Sequence, residues 1–191
     1  EQDYTLHSFA ENNEIAFSSE SFSIEIEDES NDNLQLNEYI TADIYAIRRG
    51  NYENDFDYLK RLISYVVSIE SPIHIELLCR RLLPVFRREK VSSSVKRTIE
   101  YVIKDIKNVI IHDKFCWDSN KIEDVNVRVN VEGEEIRKIE YICKQELAEA
   151  MYEITKNKFG INLDDLFTNT ARLYGFNRTG EKIKEALMEG V

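Results

Sequence analysis

The sequence predicts a mainly α-helical fold with small β-ribbons, in the α+β class. Three observations lead to this prediction: several segments carry apolar residues at helical spacing, shorter ones alternate apolar and polar residues, and one pattern of helices occurs twice. The chain has 191 residues, of which 42% are hydrophobic and 32% are charged, as in ordinary soluble domains. No apolar run reaches the ~18 residues that a membrane span needs, so we expect no membrane contact.

The first 56 residues are predicted to form an acidic segment with one strand and one helix. Residues 22–27 alternate apolar and polar side chains, as a half-buried strand does. Residues 36–48 are predicted to be a helix that ends near Gly50. Its apolar stripe consists of Leu36, Ile40, Ile44 and Ile47. The chain begins without a secretory signal and without Met, so we expect a piece of a longer cytoplasmic protein.

Residues 57–133 are predicted to form a first module that combines three helices with a β-ribbon. Its predicted elements are a helix at 57–69, an extended stretch at 73–75, a helix at 76–86, a helix that begins at 92–94, and strands at 109–117 and 125–131. Pro72 ends the first helix, and the serine cluster supplies the N-cap of the third. This order of elements is that of a winged helix-turn-helix.

The same pattern recurs 88 residues further along the chain. Residues 57–99 and 145–187 align without gaps and share the spacing of their apolar positions, which predicts a second module at residues 134–191. Its predicted elements are a helix at 145–157, a short strand at 161–163, a helix at 164–174 with Asp164 as N-cap and Gly175 as C-terminal turn, and a helix at 180–188. The sequence reaches Val191 before a second ribbon. We therefore expect tandem winged-helix-like modules, the second of which lacks its wing here.

Charge is distributed unevenly along the chain, although the net value is −11. Residues 1–57 hold 15 acidic and two basic side chains, whereas residues 58–117 hold 12 basic and six acidic ones. A basic stretch inside an acidic chain indicates a local surface for a phosphate backbone. The alternative, a solvated charged face on amphipathic helices, accounts for the same counts equally well.

The charge and the element order together predict a DNA-binding surface on the first module. In a helix-turn-helix the N-terminal end of the third helix faces the major groove, and neighbouring residues bind phosphates. The residues expected to bind nucleic acid are Arg87, Arg88, Lys90, Ser92, Ser93, Lys96 and Arg97, with Lys114 in the ribbon and Arg178 and Lys182 in the second module. No residue pattern dictates a base preference, so we expect non-specific binding of duplex or single-stranded DNA.

A protein–protein interaction or scaffold module without nucleic-acid contact is the competing hypothesis. Winged helices also dock on proteins, and the acidic first segment would repel DNA, or stand in for its phosphates, if it lay on the basic face. A dimerisation domain is a third option, because ten Tyr and nine Phe are available for an interface. Salt separates the first two hypotheses, since phosphate contacts weaken steeply with ionic strength.

The sequence offers no catalytic, metal or cofactor site. It contains no GxxxxGK[ST] phosphate loop and no nucleophile with an orienting base. Cys79, Cys116 and Cys143 are spaced too widely for a CxxC pair, and we interpret them as buried thiols of a cytoplasmic protein. His74 is expected to cap or pack against the start of the second helix. We therefore predict that this stretch of chain is not an enzyme.

Two motifs resemble those of an uncharacterised C-terminal domain in very large bacterial proteins related to superfamily-one DNA helicases. The family pattern E-x-P-I/V-H stands here as Glu70, Pro72, Ile73 and His74. The family pattern G-F-x-R-x-G-x-x-I stands here as Gly175, Phe176, Arg178, Gly180 and Ile183. Residues 57–191 carry the resemblance, and the first copy departs from the second pattern at Lys90. The resemblance implies a parent chain with ATP-dependent helicase or nuclease domains, which this domain of unknown function would contact as an accessory.

Overall fold

The computed structural model describes residues 34, 36–51, 53–123, 125–158 and 160–191, and the strand predicted at residues 22–27 lies outside them. In these ranges the fold is mainly α-helical with small sheets, as the sequence predicts. The helices are α1 (Asp55–Glu70), α2 (Ile75–Phe86), α3 (Ser93–Ile103), α4 (Lys144–Asn157), α5 (Leu163–Leu173) and α6 (Glu181–Met188). The strands are β1 (Leu36–Glu38), β2 (Ile73–His74), β3 (Val109–His112), β4 (Phe115–Asp118) and β5 (Val127–Val129). No helix in the described ranges is both long enough and apolar enough to cross a bilayer.

Helices α1, α2 and α3 pack on one another, and we call them the N-terminal helical group. All three lie where the apolar spacing predicts them, and their stripes meet in one core. Leu62, Leu78 and Ile99, one from each helix, are completely buried there. The side chains that accept a backbone N–H at the three helix starts are Asn54, His74 and Ser92.

Strands β2, β4 and β3, in that order, form an antiparallel sheet beside this group. Strands β3 and β4 are a hairpin in which His112 lies opposite Phe115. The two residues between them, Asp113 and Lys114, have φ of 48° and 68°, and positive values at both positions are typical of a type I′ turn. The ribbon is therefore built from the two halves of residues 109–118, and the predicted pairing with residues 125–131 is wrong.

A second small sheet contains part of the strand predicted at residues 125–131 and takes the place of a predicted helix. Strand β5 pairs in parallel with β1, so that Val127 lies opposite Leu36. The helix predicted at residues 36–48 is wrong, because the backbone at its start is bonded to a strand far along the chain. The expected apolar stripe is not a buried face either, since Ile40 is 65% exposed. Only one short 3₁₀ turn, Ile44–Ala46, remains of the predicted helix.

Helices α4, α5 and α6 form a second bundle, which we call the C-terminal helical group. Its helices lie where the repeat predicts them. Leu147, Tyr174 and Leu187 are almost completely buried in its core. Val127 of β5 belongs to the same core, so the small parallel sheet covers this bundle rather than extending the ribbon of the first.

The start of α5 differs from the prediction, whereas its end agrees with it. Residues 161–163 do not form the predicted short strand: residues 161 and 162 belong to no helix or strand, and Leu163 begins α5. The N-cap is Asn162 rather than Asp164, and its Oδ1 accepts the N–H of Asp165 at 2.9 Å. Gly175 ends the helix with φ of 84°, in the left-handed conformation that favours glycine.

Candidate functional site

The predicted DNA-binding residues of the N-terminal helical group occupy one continuous stretch from the end of α2 to the first turns of α3. They are Arg87, Arg88, Lys90, Ser92, Ser93, Lys96 and Arg97. All are exposed except Lys96, which is partly buried. Arg87 follows α2 in the left-handed conformation, with φ of 52°, and so turns the chain out of the helix. The short segment between the helices is thereby exposed except at Val91, which packs against the core.

The N-terminus of α3 lies within this stretch. Ser92 Oγ accepts the N–H of Val95 at 3.3 Å, which satisfies one of the amides that a helix start leaves without an internal partner. The first turn of α3 carries no acidic side chain, whereas the first turns of the other five described α-helices each carry at least one. No carboxylate in its own first turn therefore offsets the partial positive charge of this helix start.

Ion pairs divide the 12 basic residues of the segment 58–117 into two sets. Five of them bind carboxylates: Lys60, Arg61, Arg80, Arg81 and Lys96. The other seven form no ion pair with any residue that the structure describes: Arg87, Arg88, Lys90, Arg97, Lys104, Lys107 and Lys114. Four of the seven belong to the α2–α3 stretch, which contains one acidic side chain, that of Glu89, so positive charge is concentrated there.

The other three predicted residues lie elsewhere. Lys114 and Lys182 are on the wall of a cavity of about 700 Å³ between the ribbon tip and the C-terminal helical group. Asp113 at the tip binds Lys144 of α4, with 2.9 Å between Oδ2 and Nζ, and further acidic side chains share the wall. Arg178 is exposed between α5 and α6. Within the described ranges no hydrogen bond or ion pair joins these three residues to the α2–α3 stretch.

A buried charge cluster between the two helical groups was not anticipated from the sequence. Glu146 of α4 is fully buried, and its two oxygens lie 2.6 Å from Nη2 of Arg128 and 2.8 Å from Nη2 of Arg137. Arg128 also donates hydrogen bonds to three consecutive carbonyl oxygens at the end of α1, those of residues 70, 71 and 72. One guanidinium thus bonds both helical groups.

A second buried carboxylate, that of Glu70, belongs to the same region. It accepts the O–H of Tyr39 at 2.6 Å and the N–H of Ala42 at 3.1 Å, and it pairs with Arg81 at 3.1 Å. Burial raises the pKa of Tyr39, and the neighbouring Glu70 raises it further, so the phenol keeps its proton. The position of Glu70 and Glu146 on the apolar stripes of α1 and α4 is the one sequence signal for these sites.

His74 caps α2, as the sequence predicts. Its Nδ1 accepts the N–H of Glu76 at 3.2 Å, and its ring packs against Phe115 and Tyr141 with centroids 5.2 and 5.1 Å away. Burial lowers the pKa of His74, and the positive charge of Lys114 lowers it as well. The neutral imidazole is therefore the form that the fold uses.

The described residues show little that would support catalysis. All three cysteines are buried, and burial raises the pKa of their thiols to about 11 for Cys79 and Cys143 and about 12 for Cys116. Thiols with such pKa values carry almost no thiolate at neutral pH and are poor nucleophiles. In the described part of the chain, no three His, Cys, Asp or Glu side chains are grouped so that they could hold a metal ion.

Comparison with known proteins yields one family. A family model described as a protein of unknown function, DUF3320, matches residues 52–97. This range covers α1, β2, α2 and the first turn of α3, and with them Glu70, Pro72 and His74 of the first motif. The family description gives no activity. No curated protein and no solved structure matches the chain.

Proposed function

We propose that this chain is a non-catalytic accessory domain that binds DNA without sequence specificity, through the end of α2 and the start of α3. The proposal is carried by four cations in that stretch, which are exposed and form no ion pair with a described residue: Arg87, Arg88, Lys90 and Arg97. Such cations can bind phosphates without first giving up a carboxylate, and each contact releases counterions from the nucleic acid.

The order and pairing of the elements support a winged helix-turn-helix geometry for the N-terminal helical group. Helix α1, β2, α2, α3 and the β3–β4 hairpin follow one another, and β2 pairs with β4. In that geometry α3 approaches the major groove with its N-terminal end foremost. Its uncompensated helix start would then meet the phosphate backbone, where backbone N–H groups are good donors.

The side chains on the first turns of α3 favour non-specific binding. Ser94 shares a hydrogen bond of 2.9 Å with Ser92, and Thr98 donates to the carbonyl of Ser94 at 3.0 Å, so these hydroxyls are occupied within the helix. Arg97 is the one Arg, Asn or Gln on these turns, and its side chain is exposed. Reading of bases in the major groove relies on several bidentate side chains, mostly Arg, Asn and Gln, and this helix start offers one.

The wider role rests on the resemblance of residues 57–191 to C-terminal domains of helicase-like bacterial proteins. A domain of this kind would hold DNA in position for a helicase or nuclease elsewhere in a longer cytoplasmic chain. The resemblance and the exposed cations both support this role, and the motif at Glu70, Pro72 and His74 lies within the stretch that the family of unknown function matches.

Fluorescence anisotropy with labelled duplex and single-stranded DNA tests the proposal. Four phosphate contacts give a slope of about −3.6 for log K against log salt, so the affinity for duplex should fall about a hundredfold between 50 and 200 mM salt. The variant Arg87→Glu, Arg88→Glu, Arg97→Glu should lose binding. The matched control Lys104→Glu, Lys107→Glu, Arg172→Glu makes the same change in net charge away from this stretch and should retain most of it.

Two results would count against DNA binding at this surface. One is an equal loss of affinity in the two triple variants, which would show that the loss comes from the change in net charge and not from this surface. The other is no binding at low salt while circular dichroism shows a folded chain. The protein–protein interaction module would then be the leading function.

A further inference from the structure

A second cavity, of about 450 Å³, lies between α2 and the segment that leads from β5 to α4. Four cationic side chains contribute to its wall: Arg80, Arg81, Arg137 and Lys138. The acidic members of the wall are two exposed glutamates, Glu134 and Glu135. The wall therefore carries a formal charge of about +2, and this cavity shares none of the residues of the proposed DNA surface.

Arg137 is the least accessible of these cations, since its side chain is 4% exposed. Its Nη2 donates to Glu146, at 2.8 Å, and to the carbonyl oxygen of Arg128. Its guanidinium lies 4.0 Å from the centroid of the Tyr39 ring. Its Nε and Nη1 are buried and have no hydrogen-bond partner among the residues that the structure describes. Buried donors without acceptors are rare and costly, so an acceptor is expected here.

The charges of the buried cluster lead to the same expectation. Two carboxylates, those of Glu70 and Glu146, are completely buried, and they face three guanidiniums, those of Arg81, Arg128 and Arg137. One positive charge is therefore in excess. The phenol of Tyr39 does not compensate it, because it donates its proton to Glu70 at 2.6 Å. An excess charge in a poorly solvated region favours the binding of an anion.

We propose that this cavity binds the phosphate group of a small phosphorylated molecule, with Arg80, Arg137 and Lys138 as its cationic wall. A phosphate offers several acceptor oxygens and close to two negative charges, which matches a wall of guanidinium and ammonium donors. Tyr141 is also part of the wall, and the centroid of its ring lies 5.9 Å from the guanidinium of Arg80 and from Nζ of Lys138. Binding there would complete the hydrogen bonds of the junction between the two helical groups.

Nuclear magnetic resonance of the ¹⁵N-labelled chain tests this site directly. Inorganic phosphate and adenosine monophosphate are titrated at pH 7 and constant ionic strength, with chloride as the balancing anion. The Nε–H resonance of Arg137 should shift saturably, and the variants Arg80→Gln and Lys138→Gln should each weaken binding about tenfold. Lys107→Gln, which removes an exposed cation outside the cavity, should leave the affinity unchanged.

Three outcomes would overturn the proposal. The chemical shift of the Arg137 Nε–H could stay unchanged during the titration, or both cavity variants could bind phosphate as tightly as the parent chain. Alternatively, a DNA duplex could displace phosphate from the cavity, which would assign it to a nucleic-acid backbone. The proposed DNA function is tested separately, because Arg80→Gln and Lys138→Gln leave the α2–α3 stretch unaltered.

Discussion

Arg128 of β5 and Glu146 of α4 form a buried ion pair, in which Nη2 of Arg128 lies 2.6 Å from Oε2 of Glu146. The same arginine donates to the carbonyl oxygens of residues 70, 71 and 72. The carboxylate is wholly inaccessible to solvent and the arginine side chain is 11% exposed. Water therefore cannot replace either partner, and the pair is sensitive to the removal of one of them.

Removal of the negative charge at Glu146 should destabilise the fold strongly. We expect Glu146→Gln to lower the free energy of unfolding by about 3–5 kcal/mol, because it leaves Arg128 and Arg137 without their carboxylate. Urea denaturation measures the effect. The control is Asp55→Asn, which breaks the exposed pair with Arg49 and should cost about 1 kcal/mol at most. Similar costs for the two variants would show that the buried pair contributes little.

The cap of α3 should contribute measurably to stability. Ser92→Ala removes the oxygen that accepts the N–H of Val95, so we expect a loss of about 1 kcal/mol in the free energy of unfolding. Ser93→Ala is the matched control. Ser93 is exposed and its hydroxyl makes no hydrogen bond within the described residues, so its removal should cost no more than about 0.5 kcal/mol. A larger loss of stability in Ser93→Ala than in Ser92→Ala would show that Ser93, and not Ser92, is the N-cap.

Stability should depend on pH through His74. Its pKa in the folded chain is lowered by burial, so the unfolded chain takes up the proton more readily. The contribution of neutral His74 to the free energy of unfolding is complete above the ordinary pKa of 6.5, and it is lost as the pH falls below that value. His74→Asn keeps a capping oxygen but cannot titrate, so its stability between pH 7 and 5 should change less than that of the parent chain.

His112 provides the control for that measurement. It is exposed on the ribbon tip beside Asp113, so His112→Asn should keep the dependence on pH that the parent chain shows. Chemical denaturation at several pH values gives the comparison. If His74→Asn retained the full slope and His112→Asn lost it, the cap would not be the source of the effect.

Gly175 should be difficult to replace. Gly175→Ala places a Cβ on a residue with φ of 84°, and that Cβ would lie 3.2 Å from Cδ1 of Ile136. We expect a loss of about 1–2 kcal/mol, mostly from the backbone conformation, because Ile136 is 44% exposed and can move. Gly133 has a similar φ of 85°, and a Cβ placed there would have no atom within 4 Å. Thermal unfolding of Gly133→Ala therefore measures the cost of the backbone conformation alone. A neutral Gly175→Ala would contradict the left-handed turn.

The helices could be predicted because their determinants are local. The stripe through Leu59, Ile63 and Val66 indicates α1, and the serines before Val95 indicate the start of α3. Strand pairing could not be predicted in the same way. The four valines between residues 125 and 131 correctly indicate a strand, but nothing near them says that its partner is β1 rather than the ribbon. Which strands pair depends on which distant segments of the chain the fold brings together.

The candidate sites also differ in how far the sequence alone could predict them. The exposed cations between α2 and α3 could be named from the sequence, because a turn between two amphipathic helices is exposed whatever packs around it. The charged cluster at Glu146 could not be identified, since an arginine in the sequence looks the same whether it faces water or a buried carboxylate. Ion pairs also engage Arg81 and Lys96, which the sequence alone counts as free positive charge.

The bonds of Arg128 also provide one path by which a mechanical load can pass between the two helical groups. A pull on α4 reaches the end of α1 through one guanidinium, because Arg128 holds Glu146 on one side and the carbonyl oxygens of residues 70–72 on the other. Under the proposed function, a force that DNA exerts on the N-terminal helical group would therefore be passed to the C-terminal group through these bonds.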